Sequence, residues 1–435
     1  MSTAPPEPSR RRGESSQEIG RARLRARPID RCVPVTDSVT GTDADARAAR
    51  RYLVATAINI FGTGIQGIAI PWLLLELTGT AAAVGVLLIL RAVPTIALSS
   101  WAGALCDSHS RRRIAIAASA VQAVATLATA AYLAAGHRDT TSLYVLTLIV
   151  GTGTTFFMPA TRAYMQTAVG PGGYHRLASL TETATMLGLI AGTAVGGPLL
   201  TTAGIAVALA IDGVTFLWAA IAFARMPEQA RSAAAPRRSG LAAQVEGLRY
   251  IAGRPMLALA AALSLVPVLC IQVDNVLVSA YVRDALALDA AAFSRINLAY
   301  AVGAALVGVV LSRIGKRLDN ARAIAAGFVA LGLAHLGFGT SADGLVATAT
   351  MFAVGVTLVG VRTLLTTRIM LNSEPAFAGR VQAAQQLAAG LLTIGLGAAV
   401  GGLAALTGYA AVFAVVAAAC LLGAIGVTVL GEVRR

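Results

Sequence analysis

Residues 81–113 read AAAVGVLLILRAVPTIALSSWAGALCDSHSRRR, and this stretch indicates how the chain folds. It begins with an apolar run of about twenty residues, the length of helix that crosses the hydrocarbon core of a bilayer. The run ends in a loop with three consecutive arginines, and basic loops are typical of the cytoplasmic side. Because only Arg91 interrupts the apolar run, we interpret the stretch as a membrane-spanning helix that carries a single charge.

The composition of the whole chain indicates the same class of protein. Of its 435 residues, 56% are hydrophobic and 13% are charged, whereas soluble domains carry about 25% charged residues. The apolar segments lack the alternating pattern that is typical of a membrane β-barrel. We therefore expect an all-α integral membrane protein.

Twelve apolar segments follow one another after Arg51, each near the length that spans a bilayer. The predicted spans are 52–75, 82–105, 113–135, 142–168, 178–202, 204–225, 256–282, 293–314, 322–340, 344–371, 381–406 and 409–431.

The stretches between the spans predict the domain organisation. Residues 1–46 are polar and arginine-rich, without the apolar core of a signal peptide, and we expect them to be disordered. A basic lipid-binding or regulatory tail and an over-long start of translation are alternatives for this arm. A basic, proline-containing linker at 226–255 separates an N-terminal six-helix bundle at 47–225 from a C-terminal one at 256–435.

The basic residues predict the orientation in the membrane. Most of those between and beside the spans fall on one side, which leaves only Arg138, Arg283 and Arg295 on the other. By the positive-inside rule both termini are then cytoplasmic. The net charge of +14 is the sum of these loops, so it does not indicate a nucleic-acid partner.

The two halves resemble each other in sequence. Ala-Val-Gly-Gly occurs at 194–197 and again at 399–402, and Gly204 is matched by Gly408. Arg162 likewise recurs as Arg362. Such repeats are typical of alternating-access carriers, which hold their substrate between the two halves.

Five charged residues within the spans are candidates for a substrate or proton pathway: Arg91, Arg162, Glu182, Asp274 and Arg362. A charge at bilayer depth costs several kcal/mol unless it faces the bundle interior or water. Asp274 is our first candidate for proton coupling or for recognition of a cation, and a hydrogen-bonded structural acid is the alternative. Arg91 could instead extend to the outer interface.

Two further acids have structural interpretations. Glu182 is predicted to lie in a first helical turn, where the helix dipole alone would stabilise it. A gate pair with Arg162 is the alternative. Asp212 heads the sixth span from the outer side and is expected to be either a cap-like or a structural acid.

Two motifs carry a resemblance to a known family. The loop with Gly103, Asp107, Arg111 and Arg112 resembles the signature loop of the major facilitator superfamily. The fifth span resembles the glycine-proline motif of that superfamily's antiporters, through Gly188, Gly192, Gly196, Gly197 and Pro198. The stretches FFMPATRAYMQTAV (156–169) and EGLRYIAGRPML (246–257) are similar to the branch of enterobactin exporters and macrolide efflux proteins.

The resemblance implies two six-helix bundles that rock about a central cavity, with the Asp107 loop favouring the outward-facing state. It implies export of a small amphipathic organic compound, such as an antibiotic or siderophore, with the proton as coupling ion. A nutrient importer and a non-transporting membrane sensor are the alternatives. The chain departs from the family pattern at Ser108 and Ser110 of the loop and at 199–202 after the proline.

No sequence signal indicates an enzyme, a cofactor or a metal site. The four cysteines, Cys32, Cys106, Cys270 and Cys420, lack metal or disulfide spacing, and no phosphate-binding GxxxxGK[ST] loop occurs. We therefore expect a cofactor-free protein that works as a monomer in the plasma membrane.

Overall fold

The computed structural model describes residues 43–168, 170–228, 241–318, 320–374 and 377–432. Most of the predicted N-terminal arm, and residues 229–240 of the predicted linker, lie outside these ranges. Within them the chain forms α-helices and one π-helical turn, and they contain no strand.

The helices follow one another along the chain with short connections. Their bounds are α1 Asp43–Thr78, α2 Ala81–Ser108, α3 Arg111–Ala134, α4 Thr140–Ala168, α5 Gly170–Ala224, α6 Leu241–Ala252, α7 Pro255–Leu263, α8 Leu265–Ala280, the π-helical turn Tyr281–Ala285, α9 Ala290–Leu318, α10 Ala321–Gly339, α11 Gly344–Leu371, α12 Ala378–Thr407 and α13 Tyr409–Glu432.

The helices confirm the predicted twelve-span architecture. In the described part of the chain, ten helical segments are long and apolar enough to cross a membrane, and a bent pair within α12 adds an eleventh. The longest segment, α5, breaks at Gly204, where the backbone adopts φ 81° and ψ 172°. That positive φ is accessible to glycine at little cost. Because the break divides α5 into two spans, the total is twelve.

The matched glycine of the second half has the same conformation. Gly408 adopts φ 84° and ψ 158° between α12 and α13. The sequence repeat therefore corresponds to a structural one, in which Gly204 and Gly408 turn the chain between the last two spans of each half. This agrees with two pseudo-repeated six-helix bundles.

Inside the N-terminal half, the glycine motif brings α5 against α1. A Cβ atom at Gly188 would lie 2.5 Å from the carbonyl oxygen of Ala57, and one at Gly192 would overlap the carbonyl oxygen of Phe61. Lipid offers no hydrophobic drive for helices to associate, so membrane helices rely on such close backbone approach. Three glycines spaced by four residues, with Gly196 as the third, place one smooth face of α5 on its neighbour.

The most extensive contacts between the halves are those of α2 with α12 and of α5 with α9. Gly397 of α12 meets α2, where its Cβ would lie 2.8 Å from the Gly85 carbonyl oxygen. Gly197 of α5 leaves no room for a side chain beside Ser294 of α9, and the Ser294 hydroxyl donates a hydrogen bond to the Thr193 carbonyl. These contacts lie toward the helix ends predicted to be outside. The structure is therefore closed on the side predicted to face the exterior.

The linker carries a helix that docks on the C-terminal half. In α6, Glu246 accepts a hydrogen bond of 2.6 Å from Arg380, and Gly247 leaves space for the Arg380 carbonyl. Beyond α6, Arg254 forms an ion pair of 2.7 Å with Glu374. The amphipathic run at 241–252 is thus attached to the ends of α11 and α12, and it does not act as a free tether. The exact domain boundaries remain predictions.

Replacement of Gly192 by alanine should destabilise the protein. The added methyl group overlaps the Phe61 carbonyl, and overpacking of this kind costs about 1–3 kcal/mol. We expect a lower Tm when loss of helical circular dichroism is followed on heating in detergent. Gly402→Ala is the matched control, because nothing lies within 4 Å of its Cβ position. Equal Tm values for the two variants would mean that α1 and α5 are not in close contact.

Candidate functional site

A polar cavity of about 200 Å³ lies between the two halves. Helices α1, α2 and α4 border it from the N-terminal half, and α8, α9 and α11 from the C-terminal half. Its polar lining consists of Gln66, Arg91, Thr147, Asp274, Asn275, Asn297 and Tyr300. The cavity thus brings together two of the five predicted pathway residues, one cation and one anion.

Arg91 lies within the apolar part of α2 and lines this cavity. Its side chain is surrounded by the bundle, yet it is accessible to water. The helix is fixed here by Gly151 of α4, whose Cβ would be 3.2 Å from the Arg91 carbonyl oxygen. The absence of a side chain at that glycine lets α4 approach the backbone of α2. Arg91 therefore contributes its charge to the interior of the protein and not to the outer membrane surface.

Asp274 of α8 meets a histidine that sequence analysis missed. The side chain of His335, on α10, is 1% exposed, and its Nε2 lies 3.3 Å from Asp274 Oδ1 and 3.4 Å from Oδ2. The other ring nitrogen, Nδ1, is 3.0 Å from the carbonyl oxygen of Leu331. The signal for His335 was available, because an ionisable residue in an apolar span indicates a functional site by default.

A second buried carboxyl group lies in the N-terminal half. Asp212 is completely buried, and its Oδ2 accepts a hydrogen bond of 2.7 Å from Gln66 Nε2. Among the described residues, its Oδ1 has no hydrogen-bond partner. Gly62 of α1 makes room for it, since a Cβ there would be 2.5 Å from Oδ1. Because Gln66 also lines the cavity, it connects Asp212 to that space.

This position contradicts the cap-like interpretation of Asp212, whereas burial and the hydrogen bond from Gln66 agree with the alternative of a structural acid. The new helix starts at the Gly204 break, so Asp212 lies two turns inside it, about 12 Å along its axis at 1.5 Å per residue. The predicted span 204–225 begins at the same glycine, so the depth of Asp212 in the helix could have been derived from the sequence.

The other three predicted pathway residues do not line the cavity. Arg162, Glu182 and Arg362 all have exposed side chains. The described ion pairs do not include one between Arg162 and Glu182, so the proposed gate pair is not formed in this conformation. Arg362 lies within electrostatic range of the lining residue Tyr300. Their part in a pathway remains a prediction.

The arginines of the signature loop bind helix ends. Arg111 donates a hydrogen bond of 3.1 Å to the Ala163 carbonyl in the last turns of α4. Arg112 donates one of 3.0 Å to the Phe223 carbonyl at the end of α5, and another to Ala224. These carbonyl groups form the negative end of the helix dipole, which favours a cation. The loop that begins near Gly103 thus ties three helices of one half together, and the side chain of Asp107 lies outside the described part of the chain.

On the predicted outer side, Arg283 connects the halves. It lies in the π-helical turn after α8 and donates a hydrogen bond to the Leu75 carbonyl near the end of α1. Asp284 holds the guanidinium at 2.6 Å and itself accepts a hydrogen bond of 2.7 Å from the Tyr409 hydroxyl. Single π-helical turns are rare and occur frequently at functional sites. These contacts of Arg283 with the Leu75 carbonyl and with Asp284 link the two halves on the closed side, and we call them the Arg283 latch.

Replacement of Arg283 by glutamine should weaken this closure. A hydrogen bond from a charged group contributes about 1.5–3 kcal/mol, so its loss should change the ratio of closed to open molecules by about tenfold or more. Spin labels can be attached at His137 and Ala342, which are exposed on the two halves. Pulsed electron paramagnetic resonance should then show a larger population of molecules with a long distance between the labels. Arg138→Gln removes an exposed arginine and is the control. An unchanged distance distribution in Arg283→Gln would show that the latch does not hold the outer side closed.

Metal binding has no support in the described ranges, where no three histidine, cysteine, aspartate or glutamate side chains form a group that could hold an ion. The candidate site is instead a cavity with hydrogen-bonding and charged groups of both signs, suited to reversible binding of a small molecule.

Comparison with solved structures places this fold among membrane transporters. A mutant of the nucleoside transporter NupG has a TM-score of 0.70 at 12% identity, and the match covers 88% of this chain and 99% of that one. A bacterial homologue of the iron transporter ferroportin, in its inward-facing state, has a TM-score of 0.70 at 16% identity, with 89% and 99% covered. At these identities the likeness shows the fold alone.

Sequence comparison gives more specific relatives. The multidrug efflux pump Tap of Mycolicibacterium fortuitum is 28% identical over 235 residues, which are 51% of this chain and 57% of that pump. The pump of the same name from Mycobacterium tuberculosis (strain ATCC 25618 / H37Rv) is 27% identical over 210 residues, or 46% and 49%. The chain thus spans about half the length of the curated relatives it matches. The family model of the Major Facilitator Superfamily matches residues 52–395. The chain therefore belongs to the Major Facilitator Superfamily.

Proposed function

We propose that this protein is a proton-driven exporter of small amphipathic organic compounds, such as antibiotics, siderophores or other secondary metabolites. It would act as a monomer in the plasma membrane, with both termini in the cytoplasm. The observation that carries the proposal is the cavity between the halves, with Arg91 and Asp274 on its wall. Similarity to multidrug efflux pumps over half of the chain supports export.

The cavity lining suits an amphipathic compound. Apolar side chains of Ile70, Leu87 and Phe293 share the wall with the two charged residues and with amide groups of both halves. An apolar wall with few polar groups binds the body of a small molecule and orients its polar end. Opposite charges in the same space can accept ligands of either sign, which is consistent with a broad substrate range.

Alternating access would follow from the contacts between the halves. The predicted outer side is closed by the contacts of α2 with α12 and of α5 with α9, and by the Arg283 latch. Opening that side requires the halves to rock, which separates these contacts while each bundle stays intact. The arginines of the signature loop tie together helices of the N-terminal half, so that half can move as a rigid body.

A proton gradient would drive export through Asp274. A carboxylate that lines the cavity can bind a proton or a cationic group, but not both at once. Uptake of a proton from the outside would displace the substrate, and release of the proton to the cytoplasm would make the site available again. The inward proton gradient thereby supplies the energy for outward movement of the compound.

Transport should be measured with purified protein in liposomes under an imposed proton gradient. Ethidium serves as an amphipathic cation and carboxyfluorescein as an amphipathic anion, and a pH-sensitive dye reports proton movement. We expect flux of at least one probe opposite to the proton flux. Probe movement in the same direction as the proton would indicate an importer, and the absence of flux for both probes would contradict the proposed function for these compounds.

Neutralisation of the two cavity charges should reduce transport. Arg91→Gln and Asp274→Asn are each expected to lower the rate by about tenfold or more, equivalent to about 1.4 kcal/mol in barrier height. Initial rates in the same liposomes give the comparison, with Arg138→Gln as control because its exposed arginine lies outside the cavity. Wild-type rates in both cavity variants would exclude a charged pathway at this site.

A further inference from the structure

We propose that Asp274 and His335 form one proton-binding site, in which a single proton is shared between the carboxyl group and the imidazole ring. The shared site follows from hydrogen-bond geometry between α8 and α10. Its role as the coupling site rests on the proposed function, because only a proton-driven transporter would use it in its cycle.

The first step concerns the Nδ1 atom of His335. It lies 3.0 Å from the carbonyl oxygen of Leu331, one turn earlier in α10. A carbonyl oxygen can only accept a hydrogen bond, so Nδ1 must carry a hydrogen. A neutral His335 ring in this position is therefore the Nδ1-protonated tautomer, in which Nε2 carries no hydrogen.

The second step concerns Nε2. It faces both carboxylate oxygens of Asp274, at 3.3 Å and 3.4 Å. An unprotonated Nε2 and an ionised carboxylate are both hydrogen-bond acceptors. Two acceptors at this distance repel each other. The contact is attractive only if one additional proton is present, on Nε2 or on an oxygen of Asp274. The geometry therefore corresponds to a pair that holds one proton.

The surroundings make that proton costly to lose. The side chain of His335 is 1% exposed, so water cannot donate a hydrogen bond to its Nε2 in place of the missing proton. Among the described ionisable groups, Arg91 on α2 and Tyr300 on α9 share the cavity with Asp274, and the thiols of Cys270 on α8 and Cys420 on α13 lie near the pair. Arg362 on α11 lies near Tyr300. The two thiols lie 3.7 Å from each other, and described contacts show neither one bonded to the Asp274–His335 pair.

Asp274 gives the site access to the transport cavity. It lines the cavity, whereas His335 is buried behind it on α10 and does not. A proton can thus reach the pair only from the cavity side. When the proton leaves, repulsion between Nε2 and the carboxylate separates the pair, and Asp274 becomes free for Arg91 or for a cationic substrate. Proton binding and substrate binding then compete for the same carboxylate, which gives one proton per cycle at this site.

The shared proton can be counted without any substrate. Purified protein in detergent is titrated with base from about pH 7 to about pH 10, a range in which an ordinary aspartate releases no proton. Wild type should release one proton that is missing in Asp274→Asn, in His335→Gln and equally in the double variant, because all three remove the same proton. Asp343→Asn, at the N-terminal cap of α11, is the control. A step of unchanged size and pH in His335→Gln would overturn the shared site.

The coupling role is tested in liposomes with ethidium and carboxyfluorescein. Exchange of labelled for unlabelled probe across the membrane, at equal concentration on both sides, needs no proton. His335→Gln should therefore retain exchange, while its net flux of probe no longer responds to a proton gradient. Glutamine can still donate a hydrogen bond to Asp274, and the Tm of each variant shows whether it folds. Gradient-driven flux in His335→Gln equal to wild type would overturn the coupling role and leave the proposed exporter intact. Absence of all probe transport in wild type would count against the proposed function, while the proton count would still decide the shared site.

Discussion

Close approach of helix backbones is the constraint on which the structure depends. In a bilayer, apolar side chains gain little by leaving lipid for protein, so helices associate through tight packing and hydrogen bonds. Gly188 and Gly192 meet the α1 backbone, while Gly397 meets α2 in the other half. The same principle therefore builds one bundle and joins it to the other. A methyl group is enough to disturb these contacts, which is why small residues occupy them.

When helices pack this closely, a polar side chain inside the bundle has few partners with which it can form hydrogen bonds. Every ionisable side chain within the bundle must face water in the cavity or a partner on another helix. Arg91 faces the cavity, and Asp212 accepts a hydrogen bond from Gln66 on another helix. Asp274 does both, because it lines the cavity and contacts His335. The scaffold and the candidate site thus arise from one physical requirement.

Sequence patterns predicted the scaffold better than the site. Length and hydropathy are local properties, so the spans and the turn at Gly204 could be read along the chain. The matched Gly204 and Gly408 even share a backbone conformation. Contacts between distant helices could not be derived in this way. The pairing of Asp274 with a histidine sixty-one positions away, and the burial of Asp212, depend on how the helices rotate about their axes.

The two buried carboxyl groups divide the tasks between the halves. Each half places one acid inside a span and gives it a nitrogen donor from another helix. In the N-terminal half the donor is the amide of Gln66, which itself neither gains nor loses a proton. In the C-terminal half the donor is the imidazole of His335, whose contact with Asp274 requires a proton. Repetition of the fold therefore need not repeat the chemistry. Only the C-terminal half pairs its acid with a donor that can itself bind and release a proton.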